Sequence, residues 1–172
     1  MKHATGKFLT LIRHGAAAYS GGVAGDRGRA LTESGVQEVR KSADFLRKVW
    51  QNQGIPVPDL IYASPARRTL ETGNVLNSCG LFTMDILVEE ALLYSAFSAD
   101  EVIRLVCSTD DSLQHLVLIG HNPLISSTAY AVNPGQSSFF CTAGCCTFVF
   151  KGLDWISCGS EIPEKSFYFN VK

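Results

Sequence analysis

The stretch Phe8-Leu9-Thr10-Leu11-Ile12-Arg13-His14-Gly15 begins as an apolar run and ends abruptly in an arginine, a histidine and a glycine. A short, nearly continuous apolar run of this kind predicts a strand buried on both faces. Arg13 and His14 add nothing to the packing of such a strand, whereas a site that holds an anion and attacks it needs both residue types. The stretch therefore predicts a strand that delivers two polar side chains to one edge of a sheet.

Strands alternate with helices along most of the remaining chain. Three further apolar runs predict strands, at 60–62, 86–88 and 116–119. Apolar residues with helical spacing predict the helices between them. Thr32 is expected to cap the first helix, Ser64 and Pro65 to begin the second, and Pro123 to begin a later one.

The end of the chain has a different pattern. Apolar runs at 147–150 and 167–169 follow one another without a helix between them, which predicts antiparallel strands. The fold class is therefore α/β, with three α/β/α layers and a mostly parallel central sheet that carries antiparallel edge strands. With 172 residues and no linker, we expect residues 1–172 to form a single domain.

Composition excludes several classes of partner. The formal net charge of −1 gives no electrostatic reason to expect nucleic acid, and no apolar segment reaches the roughly 20 residues of a membrane span. Residues 1–7 lack the apolar region of a signal peptide, so we expect a cytoplasmic protein. The six cysteines lie mostly in apolar segments and form no C-x-x-C pair, which favours reduced packing residues over a zinc site.

Polar residues follow three of the predicted strands at their carboxyl ends. These segments are Arg13-His14-Gly15, Ser64-Pro65-Ala66-Arg67-Arg68 and Gly120-His121-Asn122-Pro123. The carboxyl ends of parallel strands meet at one edge of a sheet, so we expect their arginines and histidines to converge there. Guanidinium groups match the geometry of phosphate, and the sequence therefore predicts a phosphate site.

Histidine adds chemistry to this predicted site. A neutral imidazole can attack phosphorus directly and carry the phosphoryl group, while arginines stabilise the charge on the transferring group. This route needs neither a metal nor a cofactor. Three competing phosphate chemistries lack their motifs, namely Cys-x5-Arg, Asp-x-Asp-x-Thr and the nucleotide-binding P-loop.

The three segments together resemble the histidine phosphatase superfamily, also called phosphoglycerate mutase-like, from about Phe8 to Trp155. The segment Asp26-x-x-Arg29-x-Leu31-Thr32-x-x-Gly35 and the later Thr142-Ala143-Gly144 resemble its SixA-type phosphohistidine phosphatase branch. The resemblance implies a phosphoglycerate mutase-like fold and a site whose residues have two roles, catalysis and phosphate binding. His14 and His121 would be catalytic, with His14 as nucleophile, and the phosphate would be bound by Arg13, Arg68 and His121.

The sequence departs from the mutase-like members beside this site. Ala16, Ala17 and Ser20 stand where those members have polar residues that contact a small substrate. The position of their general acid corresponds to Tyr94 when counted from Leu92, which is the better alignment, and to Glu89 when counted from Leu87. The general acid is therefore left open among Glu89, Glu90, Tyr94 and none, with the two glutamates more typical of a solvated strand end.

Three functions follow as hypotheses. The leading one is a metal-independent phosphatase that dephosphorylates phosphohistidine in a signalling protein, because protonated imidazole leaves well without a dedicated acid. The second is a phosphatase of the same superfamily acting on small phosphomonoesters of the sugar phosphate type. The third is a phosphoprotein-binding module without turnover, against which the complete set of arginines and histidines argues.

Other polar residues are expected to be structural or exposed. Arg29 has two open roles, at the mouth of the site or in an ion pair with Asp26. Arg67 is expected to be a solvated neighbour of Arg68, since adjacent helical residues point about 100° apart. His115 has no motif around it and is expected at the surface.

Overall fold

A six-stranded sheet forms the centre of the structure, a computed structural model that describes residues 6–19, 25–135 and 139–171. Its strands in chain order are β1 (Lys7–Arg13), β2 (Leu60–Ala63), β3 (Leu87–Glu89), β4 (His115–Gly120), β5 (Cys145–Phe150) and β6 (Lys165–Phe169). They lie in the spatial order β3-β2-β4-β1-β5-β6. The first four of this order are parallel, and β5 and β6 add antiparallel strands at one side. The predicted fold class is confirmed.

Helices follow the parallel strands. They are α1 (Glu33–Gln53), α2 (Arg67–Ser78), α3 (Leu92–Ser95), α4 (Ala99–Cys107) and α5 (Leu124–Val132). The hydroxyl of Thr32 accepts a hydrogen bond from the main-chain nitrogen of Gly35, so Thr32 caps α1 as predicted. Within the described ranges, no helix is long and apolar enough to cross a membrane.

Two apolar layers enclose the sheet because successive side chains of a strand point to opposite faces. In β1, Phe8 and Ile12 pack into a cluster with α1 and α2, on which Leu46 and Leu76 are fully buried. Leu9 and Leu11 pack on the other face with α4 and α5. The strand that ends at the predicted site is therefore held on both faces.

The start of α2 differs from the prediction. The helix begins at Arg67 with Ala66 as its N-cap and no side-chain cap, rather than with Ser64 and Pro65. Ser64 still follows the sheet, since its main-chain nitrogen donates to the carbonyl of Ile119, and its hydroxyl contacts His121 instead of the helix. Residues 1–5 and 21–24, which include the start of the glycine-rich segment and the chain terminus, lie outside the described residues.

The expectation that His115 lies at the surface is wrong. The register of β4 places His115 beside Phe8 in β1, and its side chain is fully buried with an edge against the ring of Trp50. Its Nδ1 donates to the carbonyl of Pro56 over 2.8 Å, and its Nε2 lies 2.9 Å from the hydroxyl of Thr10. Burial lowers the pKa of His115 to about 4.

This buried histidine predicts a loss of stability in acid. The unfolded chain binds a proton at His115 below about pH 6.5, whereas the folded protein binds it only near pH 4. The stabilising contribution is therefore complete above pH 6.5 and is lost as pH falls toward 4, by about 3 kcal/mol in total. As the pH is lowered from 7 to 4.5, the free energy of unfolding measured by urea titration should fall by about 2 kcal/mol less for His115→Gln than for the wild type.

The comparison uses each protein's own value at pH 7 as its reference, so any constant cost of the substitution cancels. Contributions from other histidines are common to both proteins. Identical pH dependence in the two proteins would contradict the role assigned to His115.

Candidate active site

The loop after β1 is held against two helices. A Cβ atom on Gly15 would lie 2.6 Å from the carbonyl oxygen of Gly35 in the first turn of α1, so a larger residue does not fit there. The main-chain nitrogen of Gly15 donates to the hydroxyl of Thr72 in α2 over 3.2 Å. Thr72 in turn donates to the carbonyl of Arg68 over 2.7 Å. The glycine that follows His14 is thus tied to the helix that carries Arg68.

His14 is buried and has a defined tautomer. Its Nδ1 lies 2.7 Å from the carbonyl oxygen of Gly15, which can only accept, so Nδ1 carries the proton. Nε2 therefore carries an unprotonated lone pair, toward which the Nε of Arg68 donates over 3.3 Å. Burial lowers the pKa of His14 to about 4, with a further lowering by Arg68 and Arg13, against the opposing effect of the Gly15 carbonyl. The imidazole is neutral at physiological pH.

His121 stands beside His14, with 5.0 Å between the ring centroids. Its Nε2 lies 2.7 Å from the hydroxyl of Ser64. With Ser64 as the donor, Nδ1 carries the proton and can donate it to an anion. Burial lowers the pKa of His121 to about 3, and the nearby Arg68 lowers it further, so this ring is also neutral.

Two buried polar atoms of this cluster have no hydrogen-bond partner among the described residues. They are Nδ1 of His121 and Nε of Arg13, whose terminal nitrogen donates to the carbonyl of Phe140 over 2.8 Å. Buried donors without partners carry a free-energy cost that a bound acceptor removes. An anion with several oxygens supplies such acceptors.

The predicted site residues and the loop after β1 line one cavity of about 460 Å³. We call it the basic cavity. Its lining comprises Arg13, His14, Ala16, Ala17, Asp26, Arg29, Arg68, His121, Asn122 and Thr142. The structure thus brings together all four residues that the sequence predicts. Three guanidinium groups and one carboxylate around two neutral imidazoles suit a tetrahedral dianion, with the lone pair of His14 available to attack it.

Sequence reasoning missed the position of Asp26. Its carboxylate accepts from Arg68 over 2.9 Å and from Arg29 over 3.1 Å, so Arg29 takes both of the roles left open for it. Tyr94 donates to the same carboxylate over 3.1 Å, and its ring meets His121 edge-on. Despite partial burial, these hydrogen bonds lower the pKa of Asp26 to about 2. The D-x-x-R spacing signals the pair with Arg29, but not the contact with Arg68.

Only one of the three general-acid candidates lies at the site. Tyr94 lies beside His121, and burial and its bond to Asp26 raise its pKa, so the phenol is protonated. Glu89 is exposed at the end of β3, and Glu90 accepts from the main-chain nitrogen of Leu92 over 2.9 Å. Ser20 lies outside the described residues.

Two neighbours of the predicted residues have structural contacts. Arg67 is exposed and pairs with Glu71 over 2.7 Å, as expected of the arginine that points away from the site. Asn122 donates to the carbonyl of Phe140 over 2.9 Å and accepts from Ser126 over 2.8 Å. Across the residues that the structure describes, no group of three or more histidine, cysteine, aspartate or glutamate side chains is arranged to hold a metal ion.

Comparison with known proteins places this geometry in a family context. Residues 9–93 match the sequence model of the histidine phosphatase superfamily (branch 1). No curated protein matches the chain. Many solved structures share its fold.

Two of these structures are of proteins assigned as the phosphohistidine phosphatase SixA. The one from Nakamurella multipartitia is 20% identical with a TM-score of 0.73, and the match covers 95% of both chains. The one from Agrobacterium tumefaciens is 26% identical with a TM-score of 0.69, covering 83% of this chain and 91% of that one. A mycobacterial glucosyl-3-phosphoglycerate phosphatase is 18% identical with a TM-score of 0.59, covering 98% and 100% of the two chains.

The neighbouring arginines Arg67 and Arg68 provide a matched test of the basic cavity. Arg68→Lys removes the fork that can bind two oxygens of one anion, so the Kd for inorganic phosphate should rise about 10–100-fold in calorimetric titration. Arg67→Lys changes an exposed residue of the same helix and should leave the Kd within about twofold. Equal weakening by both substitutions would exclude a specific role for Arg68.

Proposed function

We propose that this chain, which belongs to the histidine phosphatase superfamily and is a phosphatase, acts through a phosphorylated His14 and dephosphorylates phosphohistidine in a signalling protein. His14 is the nucleophile, and Arg13, Arg68 and His121 bind the phosphoryl group. Residues 1–172 act as one domain, and the six free cysteines agree with a cytoplasmic setting.

The observation that carries the proposal is the hydrogen bond from Nδ1 of His14 to the Gly15 carbonyl. It fixes the tautomer in which Nε2 is the nucleophile, and Arg68 donates toward that atom. A free imidazole would be half protonated near pH 6.5, whereas this one keeps its lone pair down to about pH 4. Nucleophilic attack therefore needs no separate base.

The reaction proceeds in two steps. Nε2 of His14 forms a bond to phosphorus while the bond from phosphorus to the leaving group breaks, and water then displaces the phosphoryl group from His14. Arg13 and Arg68 stabilise the charge on the equatorial oxygens, with the proton of His121 as a further donor. Because guanidinium groups supply the positive charge, we propose that the reaction proceeds without a metal.

Features beside the nucleophile favour a phosphohistidine substrate. Ala16 and Ala17 line the basic cavity without side-chain groups that could hydrogen-bond a small polar substrate. Among the candidate general acids only Tyr94 lines the site, and a phenol is a weak proton donor at neutral pH. An alcohol leaves slowly without an acid, whereas a protonated imidazole leaves as a neutral ring.

Loss of the nucleophile tests the mechanism. His14→Ala should lower kcat/KM by about 10⁴-fold or more, because the other imidazole of the cavity, His121, has its Nε2 bound to the hydroxyl of Ser64. Brief reaction of the wild type with a labelled substrate, followed by quenching in base, should trap one acid-labile phosphate per chain, which His14→Ala lacks. Thermal unfolding of the variant serves as the control for folding. Normal turnover by His14→Ala would contradict the mechanism.

A second candidate function follows from the space beside the basic cavity. A cavity of about 360 Å³ adjoins it, which is room enough for the leaving group of a small phosphomonoester of the sugar phosphate type. In this alternative the chemistry at His14 is the same and the substrate differs.

Kinetics on two substrate sets separate the candidates. For a histidine-phosphorylated phosphotransfer domain we expect a kcat/KM at least about 100-fold higher than for any sugar phosphate, since an alcohol leaving group lacks a strong acid here. The phosphoprotein should keep the higher kcat/KM across pH 6 to 8, where His14 is neutral throughout. A sugar phosphate that reacts faster than the phosphoprotein would establish the second candidate.

A further inference from the structure

The cavity of about 360 Å³ beside the basic cavity, which we call the adjoining cavity, has a distinct chemical character. It shares Asp26, Arg68, His121 and Asn122 with the basic cavity. Its remaining wall consists of apolar and aromatic side chains with one serine, namely Leu93, Tyr94, Ala96, Phe97, Pro123, Leu124 and Ser127. Arg29 lines the basic cavity but not this one, whereas Arg68, which pairs with Asp26, lines both.

We infer that the adjoining cavity is the leaving-group subsite and that Phe97 and Asp26 make it selective for a flat imidazole or imidazolium ring. This inference rests on the proposed function, since it assumes that His14 receives the phosphoryl group. It assigns substrate selection to residues outside the phosphate-binding set.

Phe97 is an aromatic residue with no evident packing role in the described fold. It lies between α3 and α4 with its side chain 99% exposed, and its main-chain nitrogen donates to Glu101 over 3.1 Å. An aromatic side chain at the rim of a cavity loses exposed area when a flat ring stacks on it, which contributes about 1 kcal/mol. Phe97 therefore supplies a stacking surface for the leaving group.

Tyr94 provides a second aromatic surface of this subsite. Its hydroxyl donates to Asp26. Its ring centroid lies 5.6 Å from that of His121 and 4.9 Å from the guanidinium of Arg27. These contacts hold the ring in place before a substrate arrives. A leaving group that enters the cavity meets a preformed aromatic wall.

Asp26 offers the subsite a hydrogen-bond acceptor. Its carboxylate, 49% exposed, already accepts from Arg29, Arg68 and Tyr94, and a carboxylate has about four acceptor sites. The remaining site can accept the distal N–H of a protonated imidazole.

The step balances without an acid. Nε2 of His14 bonds to phosphorus, the bond between phosphorus and the substrate's ring nitrogen breaks, and the electron pair stays on that nitrogen. A ring that carries a proton on its other nitrogen then leaves as neutral imidazole. Asp26 favours the protonated ring before cleavage, and this takes the place of proton donation during cleavage.

Truncation of Phe97 tests the stacking surface. With 1-phosphoimidazole, Phe97→Ala should lower kcat/KM about 5–10-fold, whereas with phosphoramidate, whose leaving group has no ring, kcat/KM should stay within twofold. Leu153→Ala, a control at an apolar residue that is 70% exposed and outside both cavities, should change neither rate. An equal effect of Phe97→Ala on both substrates, or none on either, would overturn the inference.

Asp26→Asn tests the hydrogen bond to the leaving ring. The ratio of kcat/KM for 1-phosphoimidazole to that for p-nitrophenyl phosphate should fall about tenfold, because both leaving groups are flat rings and only the imidazolium has an N–H to donate. This ratio cancels any shared loss from the contact with Arg68. An unchanged ratio would overturn the role of Asp26. If the wild type forms no phosphorylated His14, the proposed function fails; if it forms and both variants leave substrate preference unchanged, the inference about the subsite fails alone.

Discussion

The close contact between Gly15 and the first turn of α1 is the constraint on which the site depends. Neither glycine tolerates a side chain, because a Cβ atom on Gly35 would lie 2.1 Å from the carbonyl oxygen of Ala16. The same loop binds Thr72 in α2, and Thr72 binds the carbonyl of Arg68. One short segment thus fixes the distance between the nucleophile and its arginine, so the cavity is preorganised rather than assembled by the substrate.

Burial and charge act together on the two histidines. Each would hold a proton more readily in water, but removal from solvent and the surrounding guanidinium groups favour the neutral rings. The arginines therefore serve two functions, since they attract an anion and also keep the attacking nitrogen unprotonated. The carboxylate of Asp26 offsets part of their mutual repulsion by binding both Arg29 and Arg68. The cluster thus keeps the Nε2 of His14 unprotonated inside the cavity.

Most of the fold and four central site residues could be predicted because the information is local. Arg13 is the last residue of an apolar strand and His14 follows it directly, and Thr32 lies three residues before the main-chain donor that it caps. His115 was missed because its partners, Thr10 and Trp50, are distant in sequence and come together only through the strand register. The contact of Tyr94 with Asp26 joins residues 68 positions apart, and no local pattern records it.

At Ser64 and Pro65 a strong local pattern gives the wrong helix start, because tertiary contacts of Ser64 override it. Serine followed by proline favours a helix start, but Ser64 instead continues the hydrogen bonding of β2 and turns its hydroxyl to His121. The helix then begins at Arg67, after Ala66. The hydroxyl of Ser64 therefore contacts a site residue instead of capping α2.

The position of β1 in the sheet has a consequence for how the protein emerges from the ribosome. This strand is made before the other five, yet it lies between β4 and β5, and the side chain of Thr10 has partners 105 and 137 residues further along the chain. Such non-local pairing slows folding, since distant segments must meet before their contacts contribute. The nascent chain therefore presents an apolar strand without neighbouring strands until β4 and β5 have been made. During that interval it is a natural target for chaperones, and it has no phosphate site.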